Sequence, residues 1–155
     1  MTATLRKIQI DKPGGYDVLK LVEAPLPAVG DDEVLIEVKA CGVNYADGII
    51  RMGLYASAKE LHGYPITPGF ELSGVVSAVG AEVADFAVGD AVVALTLFGG
   101  YCSHIVLKAD RVFKKPANLS FAQAAALPTV FLTAWFMVRE QVMPKPGDVW
   151  LVHSA

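Results

Sequence analysis

At 155 residues the chain is long enough for one well-buried domain and little more, and its 54% hydrophobic and 19% charged residues make it apolar for that size. A net charge of -3, with no run of lysine and arginine, leaves no basic field for nucleic acid or anionic lipid. Two cysteines, Cys41 and Cys102, are too few for a disulfide framework, and the first thirty residues lack the basic start and apolar core of a secretion signal, so a reducing cytoplasm is expected.

Residues 4–10 mix polar and apolar side chains, and Val18 to Val22 alternate again after the turn-forming Asp11 to Gly15, which predicts an opening hairpin. Further strands are predicted over Glu33 to Ala40, Leu72 to Val79, Asp90 to Leu97 and Tyr101 to Leu107, all rich in β-branched or aliphatic residues. Turn formers separate them at short intervals: Pro25, Pro27 and Gly30, then Gly80, Gly89-Asp90, Gly99-Gly100, Ala109-Asp110 and Pro116. Short strands so spaced suggest a barrel or sandwich. One helix is predicted among them: Asn44 is a good N-cap, Tyr45 to Met52 span two turns, and Gly53 stands where a helix end favours left-handed geometry.

Near Ser120 the organisation changes. Ser120-Phe121-Ala122-Gln123 has the capping-box pattern and leads into Ala124 to Leu127, a short helix that Pro128 should end or kink. A second helix is predicted from about Val130 to Glu140. The apolar stretch from Ala124 to Val138 is shorter than the roughly 18 to 20 residues of a membrane span and is interrupted by Pro128, Thr129 and Thr133; it should be buried in protein. Pro144, Pro146 and Gly147 then break the chain before Asp148 to His153, an apolar run suited to a buried parallel strand. A change of periodicity marks a new architectural unit, so residues 1–120 are expected to form one domain, and 121–155 interdomain helices plus the first strand of another.

A tetrahedral zinc site needs about four converging ligands. The inventory is Cys41, Cys102, His62, His104 and His153, with no Cys-x-x-Cys. Cys102 and His104 fall two apart on a predicted strand and so face one side; a shared metal is one reading, and a packed thiol beside an ordinary half-exposed histidine is the simpler one. Asn118-Leu119-Ser120 matches a glycosylation acceptor but is read as the approach to the helix cap.

The most specific patterns are Gly69-Phe70-Glu71-Leu72-Ser73-Gly74 followed by Gly80 and Val83, and Ala40-Cys41-Gly42-Val43-Asn44-Tyr45-Ala46-Asp47 upstream. With Gly89-Asp90, Ala124 to Pro128 and Leu132-Thr133-Ala134, the combination resembles the medium-chain dehydrogenase/reductase superfamily over nearly the whole chain. Zinc-dependent members carry Gly-His-Glu where this chain has Gly-Phe-Glu, and a cysteine ligand where it has Asn44. Phenylalanine cannot bind a metal. The pattern is closest to the zinc-independent quinone reductases, VAT-1-like proteins and polyketide enoyl reductase domains.

That resemblance implies a mainly β, GroES-like partly opened barrel with short helices, followed by the start of a truncated Rossmann domain whose glycine-rich loop would come after Leu151 to Ala155. It implies hydride transfer from NADPH or NADH to a quinone or α,β-unsaturated carbonyl, without zinc, by a full-length homodimeric enzyme. The 155-residue chain alone is expected neither to hold a dinucleotide tightly nor to turn over. Two other readings are an enoyl reductase of a polyketide or lipid pathway and a non-catalytic VAT-1-like interaction module. The implied site is Asn44, lining the floor of the nicotinamide cleft and donating to the substrate carbonyl, with Tyr55 orienting substrate or relaying a proton. Thr133 would pack beside the nicotinamide ring, with Tyr45 and Phe70 as apolar walls. Each has a plainer role open to it: Asn44 as helix cap, Tyr55 as loop cover, Thr133 as an ordinary helix residue. Such chemistry needs no metal because a quinone or enone is already activated, whereas an unactivated alcohol calls for zinc or a strong base.

Overall fold

The computed structural model describes residues 4–153. The opening alternation closes into the expected hairpin, β1 (Thr4–Gln9) pairing antiparallel with β2 (Lys20–Pro25) in register from Thr4 with Pro25 to Gln9 with Lys20. The following strands are β3 (Glu33–Cys41), β4 (Glu71–Val79), β5 (Ala91–Leu95), β6 (His104–Lys108) and β7 (Val112–Lys114). They form a second sheet in the order β6-β3-β4-β5-β7, antiparallel throughout. Isolated bridges from Lys7 to Cys102 and from Ile10 to Ile66 tie the hairpin to loops of the larger sheet. The architecture is mainly β with short helices carried on the connections.

Two deviations from the predicted strands have identifiable causes. β6 begins at His104 because the residues before it are spent on the hairpin: Ile8 N donates to Tyr101 O at 2.9 Å and Ser103 N to Arg6 O at 2.7 Å. β7 escapes a pattern reading because three residues carry no periodicity.

The helices are α1 (Tyr45–Arg51), α2 (Ala56–Leu61), α3 (Phe121–Ala125) and α4 (Pro128–Phe136). Gly53 takes the left-handed conformation expected after α1, with φ 74°. α2 is an addition to the predicted elements; its N-cap, Tyr55, has no side-chain capping bond and so gives no start signal. The Ser120 box forms as read: Ser120 Oγ accepts from Gln123 N at 3.2 Å, and Gln123 Oε1 accepts from Ser120 N at 2.9 Å. Pro128 opens α4 rather than merely ending α3, its missing N–H falling where a first turn needs no donor. α4 then widens to π geometry over Met137–Val142. Among the described residues no helix is long and apolar enough to cross a membrane.

The core has two parts. Val34, Ile36, Leu72, Val76, Val92, Ala94 and Val112 pack on the large sheet, and Ile10, Val18, Ile50, Ala58 and Ile66 pack where the hairpin meets α1 and α2. Gly74 lets the two central strands close: a Cβ there would stand 2.2 Å from Glu37 O and 2.8 Å from Ile36 Cγ2.

Two expectations about the last thirty residues are corrected. Asp148 to His153 form no strand, and Val149 and Leu151 are 97% and 81% exposed. A parallel strand draws its hydrogen bonds from neighbours, and among the described residues none lies alongside. Burial of the 124–138 stretch holds only at its start: Ala124 and Ala125 are buried, while Phe131, Trp135 and Phe136 are exposed. α4 meets β5 beside a 450 Å³ apolar groove lined by residues including Val93, Leu95, Leu127 and Phe131.

Gly74→Ala is expected to cost about 2 to 3 kcal/mol, since the methyl must push β3 from β4, read as a lower urea midpoint; an unchanged midpoint would refute the tight strand approach. Leaving several large side chains wet favours association, each burial being worth about 1.5 to 3 kcal/mol. The 155-residue chain should therefore sediment partly as dimer at high concentration, and Phe131→Glu with Trp135→Glu should restore the monomer. A clean wild-type monomer would count against this.

Candidate functional site

The strand-to-helix junction after β3 builds the site. Asn44 has the extended conformation of an N-cap, φ -115° and ψ 153°, and faces Asp47 at N3 in a capping-box arrangement. Asp47 makes the box's return contact, its Oδ2 accepting from Asn44 N at 2.8 Å. The Asn44 amide also reaches across to β4, where Nδ2 donates to Glu71 Oε1 at 2.9 Å. Capping by backbone position and donation by side chain coexist at one residue.

Glu71 opens β4 and is only 2% exposed. Its second oxygen, Oε2, accepts from Thr129 N at 2.7 Å in the first turn of α4, so both carboxylate oxygens are used as acceptors. The positive end of the α4 helix favours a negative group there. Gly42 makes room: a Cβ at that position would lie 2.1 Å from Glu71 Oε1 and 2.5 Å from Cδ.

A second buried carboxylate braces the junction. Asp47, 5% exposed, accepts from Gly69 N through Oδ1 at 2.9 Å and from the Tyr101 hydroxyl through Oδ2 at 2.8 Å, in addition to Asn44 N. Burial, and then the hydrogen bond to Asp47, push the Tyr101 phenol well above its ordinary range.

The other predicted residues divide into groups. Tyr55 and Phe70 meet edge to face with ring centroids 6.0 Å apart, and Phe70 also approaches Phe98 at 6.0 Å. Thr133 is exposed, its Oγ1 donating back to Thr129 O at 2.6 Å, so it stands one turn from the residue that Glu71 holds. Thr129 Oγ1 is itself buried with no partner. Tyr45 is 87% exposed. The structure thus joins Asn44 to Thr133 through Glu71 and Thr129, pairs Tyr55 with Phe70, and leaves Tyr45 open at the rim.

In the sequence patterns Glu71 stands between glycines and Asp47 carries no assigned role. A carboxylate inside the apolar run Gly-Phe-Glu-Leu was the available signal, because a buried charge demands partners from elsewhere in the fold.

A 730 Å³ cleft is lined by neither Asn44 nor Glu71; its walls include Lys7, His62, Phe98, Cys102 and His104. Among the described residues no three His, Cys, Asp or Glu side chains converge as they would to hold a metal ion. His104 Nδ1 instead lies 3.1 Å from Ser103 Oγ. Burial, with a smaller contribution from neighbouring Cys41, pushes the Cys102 thiol up to about 12.

Residues 30–131 match the family model described as the alcohol dehydrogenase GroES-like domain. The chain is 41% identical to the synaptic vesicle membrane protein VAT-1 homolog of Danio rerio, over 99% of this chain and 31% of that protein. It is 38% identical to quinone oxidoreductase of Sus scrofa, over 96% of this chain and 45% of that protein. In structure it resembles the CurK enoyl reductase, with TM-score 0.87 and 33% identity over 93% of this chain and 45% of that one. It also resembles the Escherichia coli quinone oxidoreductase complexed with NADPH, with TM-score 0.79 and 37% identity over 89% and 41%. The chain therefore spans less than half the length of these relatives.

With a thiol near 12, only about one part in ten thousand of Cys102 is thiolate at pH 8. Cys41 is exposed. Iodoacetamide at pH 8 should label Cys41 first in the folded protein and reach Cys102 only in urea; equal native rates would contradict the packed-thiol assignment.

Proposed function

The chain belongs to the alcohol dehydrogenase GroES-like domain family, within the medium-chain dehydrogenase/reductase superfamily, and on that premise we propose that the full-length protein is a cytoplasmic oxidoreductase carrying hydride from NADPH or NADH to a quinone or α,β-unsaturated carbonyl without zinc. Residues 1–120 are then its substrate domain, and 121–155 the entry to its nucleotide-binding domain. The observation that carries this reading is the Asn44 amide, held by Glu71 at the position where the resemblance puts a metal ligand in zinc-dependent relatives.

The residues present fit the ring end of such a cofactor. Thr129 Oγ1 is buried without a partner, and Thr133 stands exposed four residues further along α4, hence on the same helix face. When bound, the nicotinamide supplies the hydride. Everything else falls to this chain. Asn44 keeps a second amide hydrogen that can meet the substrate carbonyl oxygen, where charge develops as the hydride arrives. Tyr55, packed on Phe70, offers a phenol to orient the substrate or pass it a proton, and the two rings form a wall for a flat conjugated molecule. Phe70 contributes no donor to a metal. An unactivated alcohol would find no strong base or Lewis acid among these groups.

An enoyl thioester is the second substrate class, favoured by the close structural likeness to an enoyl reductase. The full-length protein should be assayed with NADPH and NADH against a quinone, an enone, a CoA-linked enoyl thioester and simple alcohols, with and without EDTA. Reduction of a quinone or enone, unchanged by EDTA and lowered about 100-fold in kcat/KM by Asn44→Ala, is expected. Oxidation of alcohols with neglect of quinones and enones would overturn the proposal. Inactivity on all of them would favour a non-catalytic VAT-1-like module.

A further inference from the structure

We infer that Glu71 is a positioning residue for this reaction, deciding which end of the Asn44 amide faces the substrate; the inference rests on the reading of Asn44 as the carbonyl donor. An amide is nearly symmetric in shape, so sterics alone do not choose between its oxygen and its nitrogen. A hydrogen-bond acceptor on one side does choose. Glu71 Oε1 accepts from Asn44 Nδ2 at 2.9 Å, and Oε2 accepts from Thr129 N at 2.7 Å. Thr129 N can only donate, so it pins one carboxylate oxygen, and the other is left as the acceptor that Asn44 must answer with its NH2.

The surroundings are built for a carboxylate at this place. Gly42 has no side chain, and even one methyl would overlap Glu71 Oε1 at 2.1 Å. The residue is 2% exposed, so it serves no solvent-facing purpose, and burying a charge costs more than burying an apolar side chain of its size. The same carboxylate holds the first turn of α4, from which Thr133 hangs by its bond to Thr129 O. One group thereby sets the Asn44 amide and the helix carrying Thr133 in a common frame.

The test is Glu71→Gln in the full-length protein. The substituted side chain keeps an oxygen for Thr129 N, which forces its new NH2 towards Asn44, where two donors would meet. Asn44 escapes by inverting its amide. Side-chain volume hardly changes, so Tm should stay within about 4 °C of wild type. Quinone or enone kcat/KM should fall at least about tenfold, with NADPH affinity unchanged within about twofold. In an Asn44→Ala background the same change should lower activity by less than about twofold, because nothing remains to be oriented.

Wild-type turnover in Glu71→Gln with a damaged Asn44→Ala would sink the inference alone. Effects that multiply in the double variant would likewise overturn it, showing that Glu71 acts by another route. An Asn44→Ala enzyme as active as wild type would remove the premise, and with it both readings. Should Glu71→Gln fail to fold, Gly42→Ala tests the same contact by displacing the carboxylate: a comparable fall in kcat/KM supports the inference, and wild-type kcat/KM overturns it.

Discussion

The rest of the site depends on the burial of one carboxylate where three segments meet. Glu71 starts β4, Asn44 follows β3, and Thr129 lies in the first turn of α4; they are distant in sequence, and the carboxylate joins all three. A carboxylate removed from water and left with a free oxygen costs several kcal/mol, so the fold is favoured only when both oxygens are met. The requirement acts as a specification. Any arrangement that moved α4 by one turn, or Asn44 to the far side of its loop, would leave Glu71 unsatisfied. Breaking one member of such a buried set is costly even where the set as a whole adds little net stability.

Asp47 applies the same logic to the loops. Its two oxygens collect three donors, from the backbone of Asn44, the backbone of Gly69 and the Tyr101 hydroxyl. Gly69 immediately precedes the Phe70-Glu71 pair, so what steadies Gly69 also steadies the start of β4. Beneath both carboxylates the antiparallel pairing of β3 and β4 provides a platform that irregular loops could not. Precision at the site comes from loops clamped to strands.

Local chemistry made much of this legible in advance. The Ser120 box, the Asn44 cap position and Gly53 follow from single residues acting on their own backbone, and they form where the pattern placed them. The hairpin and the central strands follow from alternation. Legibility ends where the determinant is distant. β6 starts late because β1 claims Tyr101 and Ser103, and Asp148 to His153 lack the partners that would make an apolar run into a strand. The partners of Glu71 lie 27 and 58 residues away, at spacings that carry no periodic signal. What remained visible was the oddity of an acid among apolar neighbours, which marks a site without naming its contacts.

On the proposed reading, the exchange of a metal for an amide also shapes which substrates react. A zinc ion polarises any carbonyl or alcohol it touches, so selectivity must come from the pocket. A single neutral donor contributes far less to an unactivated bond, and its hydrogen bond strengthens only as charge gathers on the oxygen it faces. Molecules whose conjugation already spreads that charge gain most from it. Chemical activation of the substrate then replaces shape as the filter, and the demand on the protein shifts from grip to aim. A rigidly directed Asn44, fixed by an acceptor buried deeper than itself, answers that demand more directly than a tighter pocket would.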